Sequence, residues 1–185
     1  GKFKAEVLEE ELLKINPNLK IKGIKAKVSQ KNVDTLLEDV DIVVNGMDDM
    51  KSSIILERRA KELKKIIVDA WLTPFATVFV MDDSSPHWEE FLDLPSRGLE
   101  IKDLSKEILN ENLQKELNYT LSHFDPFNYV DKAIVSDVVA GRIKRPSFVL
   151  VTWFSGLLMA NEVFKKIVGY ETEDFRGIFF NQYNY

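Results

Sequence analysis

Between Asp41 and Met81 the chain reads "DIVVNGMDDMKSSIILERRAKELKKIIVDAWLTPFATVFVM", and no other stretch restricts the fold as much. "VDIVVNGM" is a run rich in β-branched residues, the kind that sits mid-sheet covered on both faces. "MKSSIILERRAKELKK" is strongly helical, and "IIVDAWL" and "ATVFVM" are further apolar strands, from Ile66 and Ala76. Upstream, "QKNVDTLLEDV" reads as a short helix. Strands alternating with helices predict an α/β fold: a doubly wound, mostly parallel sheet with helices on both faces.

The flanks extend this pattern. Ala5, Leu8, Leu12 and Ile15 recur at helical spacing, and the proline of "NPN" stops that helix, which predicts a first helix from Lys4 to Ile15. "LKIKGIKAKV" alternates apolar and basic residues from Leu19 to Val28, the period of a strand with one wet face. After Met81 the pattern changes: residues 82–145 are polar, with a helix expected around Asp103 to Asn118 and aromatic loop residues near "SHFDPFNY". So long a connection inside one domain is usually functional or mobile. "VLVTWFSGLLMANEVFKKIVG" then predicts an amphipathic-to-buried helix ended by Gly169, and "FRGIFFNQYN" a last strand.

With 185 residues, 45% of them hydrophobic, the chain suits one sizeable core, so residues 1–185 read as a single domain with 82–145 inserted in it. Net charge is −5 and the cations are interspersed with acids, apart from Arg142, Lys144 and Arg145, which argues against a nucleic-acid or anionic-membrane partner. The absence of cysteine removes disulfides, thiolate metal sites and thioester intermediates, and fits a reducing, cytoplasmic home. The longest uncharged run, Pro146 to Asn161, is shorter than the roughly 20 residues of a membrane span and reads as a buried strand end and core helix.

In an open parallel sheet the ligand lies beyond the C-terminal ends of the strands, and "NGMDD" is such an end. One of Asp48 and Asp49 can hold Mg²⁺, whose ligands are carboxylates and phosphate oxygens, or one can cap the helix that begins near Met50. Composition alone favours the cap. Lys4, at a helix start where the dipole disfavours a cation, reads by itself as a solvated side chain. His87 and His123 have no Ser or Cys partner at motif spacing and read as surface or packing residues.

Three ordered blocks nevertheless resemble the ThiF/MoeB/HesA superfamily, relatives of the ubiquitin-activating enzymes. "GKFKAEVLEEELLKINPNLKIKGIKAKV" is similar to its "GxxKAExxxxxLxxINP" segment, and Asp41 to Val80 to its strand, Thr-Asp-Asn turn, helix and following strands. Gly156, Ala160, Glu162, Lys165 and Gly169 fit its "GxxxAxExxKxxxG" helix. The resemblance implies a Rossmann-like domain that adenylates the C-terminal carboxylate of a ubiquitin-like or sulfur-carrier protein, or of a peptide, with Mg-ATP. It also implies a homodimer. The family's phosphate-contacting lysine falls on Lys4, its magnesium aspartate on Asp48, and a position near the adenine on Val28.

Departures accompany the match. The family asparagine after the aspartate is Asp49 here, an arginine is Ser53, and a second asparagine is Glu57; all three belong to the nucleotide side of the family's helix. The family's CxxC zinc site is absent, so ATP and Mg²⁺ are the only cofactors implied. The glycine-rich loop precedes the lysine segment in the family, and its phosphate cradle has no counterpart here. The chain therefore reads as a piece of a longer protein, inactive alone. The competing reading is a non-catalytic member serving as a binding or dimerisation platform; a nicotinamide-dependent oxidoreductase fits the α/β pattern but no particular residue.

Overall fold

A computed structural model describes residues 1–71, 74–139, 142–143, 148–172 and 175–184. Its sheet has four strands in chain order: β1 (Ile42–Asn45), β2 (Ile66–Asp69), β3 (Ala76–Met81) and β4 (Ile178–Phe180). β1 and β2 are parallel and in register from Ile42 beside Ile66 to Asn45 beside Asp69. The β2–β3 and β3–β4 pairs are antiparallel. The Rossmann-like α/β class stands, and within it the sheet is mixed rather than mostly parallel. The reason is length: six residues, 70–75, separate β2 from β3, whereas a parallel return needs a crossover of a dozen or more.

Helices cover both faces. On one, α2 (Val33–Leu37) and α3 (Met50–Glu62) bring Val33, Leu37, Ile55, Leu56 and Ala60 against Val43, Ile67, Phe79 and Met81. On the other, Leu158, Met159 and Val163 of α7 (Val149–Val168) lie against Ile42, Ile66, Val68, Val78 and Val80. Every residue of β3 is buried, as expected of a strand covered twice. β4 approaches it so closely at Gly177, φ 84°, that a Cβ there would stand 2.4 Å from the Phe79 ring.

The inserted segment is structured. It forms α4 (Trp88–Phe91), a 3₁₀ turn at Ile101–Asp103, α5 (Lys106–Leu121), a second 3₁₀ turn at Pro126–Asn128 and α6 (Lys132–Val139). The helix expected around Asp103–Asn118 starts three residues later, because Ser105 caps it by accepting from the Ile108 N–H at 3.3 Å. Trp88 enters the core beside Phe79. The Arg58 guanidinium forks onto Glu89 at 2.6 and 2.7 Å and donates to the carbonyls of Leu99 and Ser96, fastening the insertion to α3.

Two expectations are corrected. Residues 19–28 are not a strand: alternation states which face each side chain would take, while a strand also needs a neighbouring ladder, and none lies beside this segment among the described residues. α1 (Lys4–Ile15) forms where expected but buries no residue, and is tied to the segment by the Gly23 N–H donating to Glu9 at 2.8 Å. The run read as a core helix is core on one side only. α7 ends on left-handed Gly169 as expected, yet Trp153, Leu157 and Ile167 are exposed, and Pro146 and Ser147 lie outside the described residues.

Candidate functional site

The C-terminal ends of β1 and β2 meet at Asn45 and Asp69, both buried. Asn45 joins β1 to α3: its amide donates to Glu57 at 2.6 Å and to the Ser53 hydroxyl at 3.1 Å, while its carbonyl accepts from the Met47 N–H at 3.1 Å. Glu57 in turn hydrogen-bonds Asp69, which also accepts from the Ala70 N–H at 2.7 Å and the Trp71 indole at 3.1 Å. Burial raises the Glu57 carboxyl well above the usual range, and the Asp69 charge adds to this. Burial lifts Asp69 to about 7 against the donors that hold it, so the pair carries a proton near neutrality. Glu116 of α5, raised to about 8 by burial and then by Asp69, completes the group.

The two aspartates of "NGMDD" divide the roles open to them. Asp49 is the N-cap of α3: its side chain accepts from the Ser52 N–H at 3.2 Å and from the Ser52 hydroxyl, and pairs with Lys27 at 3.1 Å. The Ser52 hydrogen bond, with help from Lys27, lowers its pKa. Asp48 is exposed and makes no hydrogen bond or ion pair among the described residues. Val28 reaches the same corner, its carbonyl accepting from the Ser52 hydroxyl at 3.3 Å and its side chain packing on the core.

Lys4, the first residue of α1, is exposed and unpaired among the described residues, without contact to Asp48. Its neighbour Phe3 lies under the Lys25 ammonium at 3.4 Å from the ring centre, two residues before Lys27. The structure thus gathers Val28, Asp48 and Asp49 and leaves Lys4 at the margin. The histidines are structural. His87 caps α4, its Nδ1 accepting from the Glu89 N–H at 3.2 Å, with its pKa lowered by burial; His123 stacks on Phe179 with ring centres 3.7 Å apart.

Sequence reasoning missed the Asn45, Glu57, Asp69 and Glu116 group. A signal existed: Asn45 and Asp69 each end an apolar run, and Glu57 falls midway between Ile54 and Ala60 on the buried side of α3. Ser53 and Glu57, the departures from the resembled pattern, are thereby turned toward Asn45. No group of three or more His, Asp or Glu is placed to hold a metal among the described residues. A lone exposed carboxylate such as Asp48 still suits Mg²⁺, which keeps waters and takes one or two carboxylates alongside substrate phosphates.

These features define a Rossmann-like α/β chain with an open acidic corner at the C-terminal ends of its parallel strands. The chain belongs to the ThiF family, whose family model matches residues 1–185. No curated protein matches the sequence. Among solved structures it is similar to the crystal structure of selenomethionine PaaA, with a TM-score of 0.53, 16% identity, and coverage of 97% of this chain and 55% of that one. At that identity the likeness concerns the fold, and this chain spans about half the length of PaaA. No helix among the described residues is long and apolar enough to cross a membrane.

Proposed function

We propose that this chain is the strand-end and crossover portion of a cytoplasmic enzyme that adenylates the C-terminal carboxylate of a ubiquitin-like or sulfur-carrier protein, or of a peptide. The observation that carries the proposal is the division of labour at "NGMDD": Asp49 is consumed by the α3 cap, and Asp48 beside it stays exposed and unpartnered. Membership of the ThiF family supports it. In the reaction a substrate carboxylate oxygen bonds to the α-phosphorus of ATP while the bond to pyrophosphate breaks. Mg²⁺, when bound, neutralises phosphate charge. On this chain Asp48 would hold the ion, Lys4 would approach the phosphates as a charge partner, and Val28 would line the adenine side; the work left is positioning and charge neutralisation.

In full-length protein supplied with its carboxylate partner, labelled pyrophosphate should exchange into ATP, and Asp48→Ala should lower that exchange at least about 100-fold, the scale of losing one dedicated charge stabiliser. Asp48→Ala should leave the melting temperature in place, whereas Asp49→Ala, removing a cap, should cost about 1 kcal/mol of stability. Undiminished exchange in Asp48→Ala would sink the assignment.

A second reading has its own observation. Ser53 and Glu57 both engage Asn45 instead of facing solvent, as fits a member that keeps the fold as a binding or dimerisation platform. Calorimetric titration with Mg-ATP separates the two, since a platform shows no binding heat.

A further inference from the structure

Asn45 closes β1 with its side chain buried, and the two arms of its amide are bound to different elements. The nitrogen faces α3, donating to Glu57 at 2.6 Å and to the Ser53 hydroxyl at 3.1 Å. The oxygen faces the turn that follows, accepting from the Met47 N–H at 3.1 Å. The arms are not interchangeable, because a flipped amide would set its own N–H groups against the Met47 N–H, donor against donor. Glu57 and Ser53 therefore decide which way the Asn45 oxygen points.

The consequence falls on Asp48. The residue before it is anchored twice, by the bond to its N–H and by the Met47 side chain, which packs against the core. The residue after it, Asp49, is the N-cap of α3, bound to the Ser52 N–H at 3.2 Å and to Lys27 at 3.1 Å, and its carbonyl accepts from the Ser53 N–H at 3.0 Å. Between these two anchors the Asp48 side chain is left in solvent while its main chain is held on both sides. A carboxylate presented in this way meets a cation without first having to order the loop. Where binding must instead fix the backbone of one residue, affinity falls by about 10-fold.

We propose that Asn45 is a positioning residue for Asp48 and that Glu57 and Ser53 act through it: their grip on the Asn45 amide holds its oxygen on the Met47 N–H and so fixes the turn from which the Asp48 carboxylate projects. This role rests on the reading that Asp48 takes Mg²⁺ in the Mg-ATP complex. It gives Ser53 and Glu57 a task in nucleotide binding that neither performs by touching the nucleotide.

Calorimetric titration of the full-length protein with Mg-ATP, and with ATP in excess EDTA, separates positioning from packing. Asn45→Ala should weaken Mg-ATP binding about 10-fold and leave metal-free ATP unchanged, while Asp48→Ala should bring Mg-ATP down to the metal-free affinity. The double variant of Asn45→Ala with Asp48→Ala should bind Mg-ATP no more weakly than Asp48→Ala, because a residue that acts only through Asp48 has nothing further to lose. Asn45→Asp keeps an acceptor for the Met47 N–H, and at about pH 6 the Glu57 carboxyl, its pKa raised by burial, can donate to it. Asn45→Asp should therefore restore most of the affinity that Asn45→Ala loses, and it decides the matter if Asn45→Ala does not fold. Mg-ATP held no less tightly by Asp48→Ala than by the parent, absence of binding by both included, removes the metal role from Asp48 and the inference with it. Where Asp48→Ala is weakened, the inference alone is overturned by undiminished Mg-ATP binding in Asn45→Ala, by equal weakening of metal-free ATP, or by an added loss in the double variant. A loss of about 10-fold in Asn45→Asp overturns it as well.

Discussion

Glu57 shows how far one residue's surroundings can redirect it. By resemblance it stands where the family pattern has an asparagine; in the fold it is buried, accepts from the Asn45 amide at 2.6 Å and hydrogen-bonds Asp69. This has a pH signature. Glu57, Asp69 and Glu116 all have pKa values raised in the folded state, Asp69 to about 7 and Glu116 to about 8. The unfolded chain gives up those protons near pH 4, so between there and pH 8 the native state holds more protons and stability falls as pH rises. His87, whose pKa is lowered, acts the other way and only below its ordinary value of about 6.5. Asp49, Asp82 and Glu89, all lowered, act lower still, where acid protonates them and their contribution is lost. The window from pH 6.5 to 8 thus belongs to the buried carboxyls. Unfolding free energies from urea titrations should drop across it by about 1.4 kcal/mol per pH unit for each proton the native state retains, and Glu57→Gln should flatten the slope. A midpoint that rises between pH 6.5 and 8 would refute the shared-proton arrangement.

At the scale of elements, local signals succeeded where one element carries its own instructions. α1, α3 and the end of α7 at Gly169 follow from stripe, cap and stop residues, and "NGMDD" from its place between a strand and a helix. What depends on a second element was illegible. The alternation of Leu19–Val28 describes a strand but cannot provide the ladder beside it, and the mixed sheet follows from the six-residue link rather than from either strand's composition. The same holds for the inserted segment, whose order depends on a residue of α3. Arg58 presents its fork to Glu89 and its remaining donors to the Ser96 and Leu99 carbonyls, and Glu89 also accepts from the Ser96 hydroxyl. Arg58→Ala leaves the buried Glu89 carboxylate without its cationic partner, which costs about 3–5 kcal/mol, whereas replacing both partners by apolar residues costs much less. Limited proteolysis of Arg58→Ala should therefore cut first between residues 84 and 105, and Arg58→Met with Glu89→Leu should recover most of the lost thermal stability. First cleavage elsewhere would show that the clamp does not hold the insertion.

Over the whole molecule stability is graded along one axis. At one end β3 is wholly buried between α3 and α7, and Ala76, Thr77, Val78, Phe79 and Met81 have no exposed surface at all. At the other, α1 buries none of its residues, and its visible ties are exposed ion pairs such as Lys2–Glu10 and the single bond from Gly23 to Glu9. Exposed pairs of this kind contribute at most about 1 kcal/mol, and an isolated helix of 12 residues is marginal in water. α1 should then open locally while the core stays shut, as expected of elements with little buried apolar surface. In native-state hydrogen exchange the α1 amides should exchange at least about 100-fold faster than those of β3, a gap of only about 2.7 kcal/mol in opening free energy. Because Lys4 begins that helix, binding of Mg-ATP to the full-length protein should slow α1 exchange more than β3 exchange. The phosphates would be ordering an element that the fold itself leaves loosely held, and equal protection of both elements would separate Lys4 from the nucleotide.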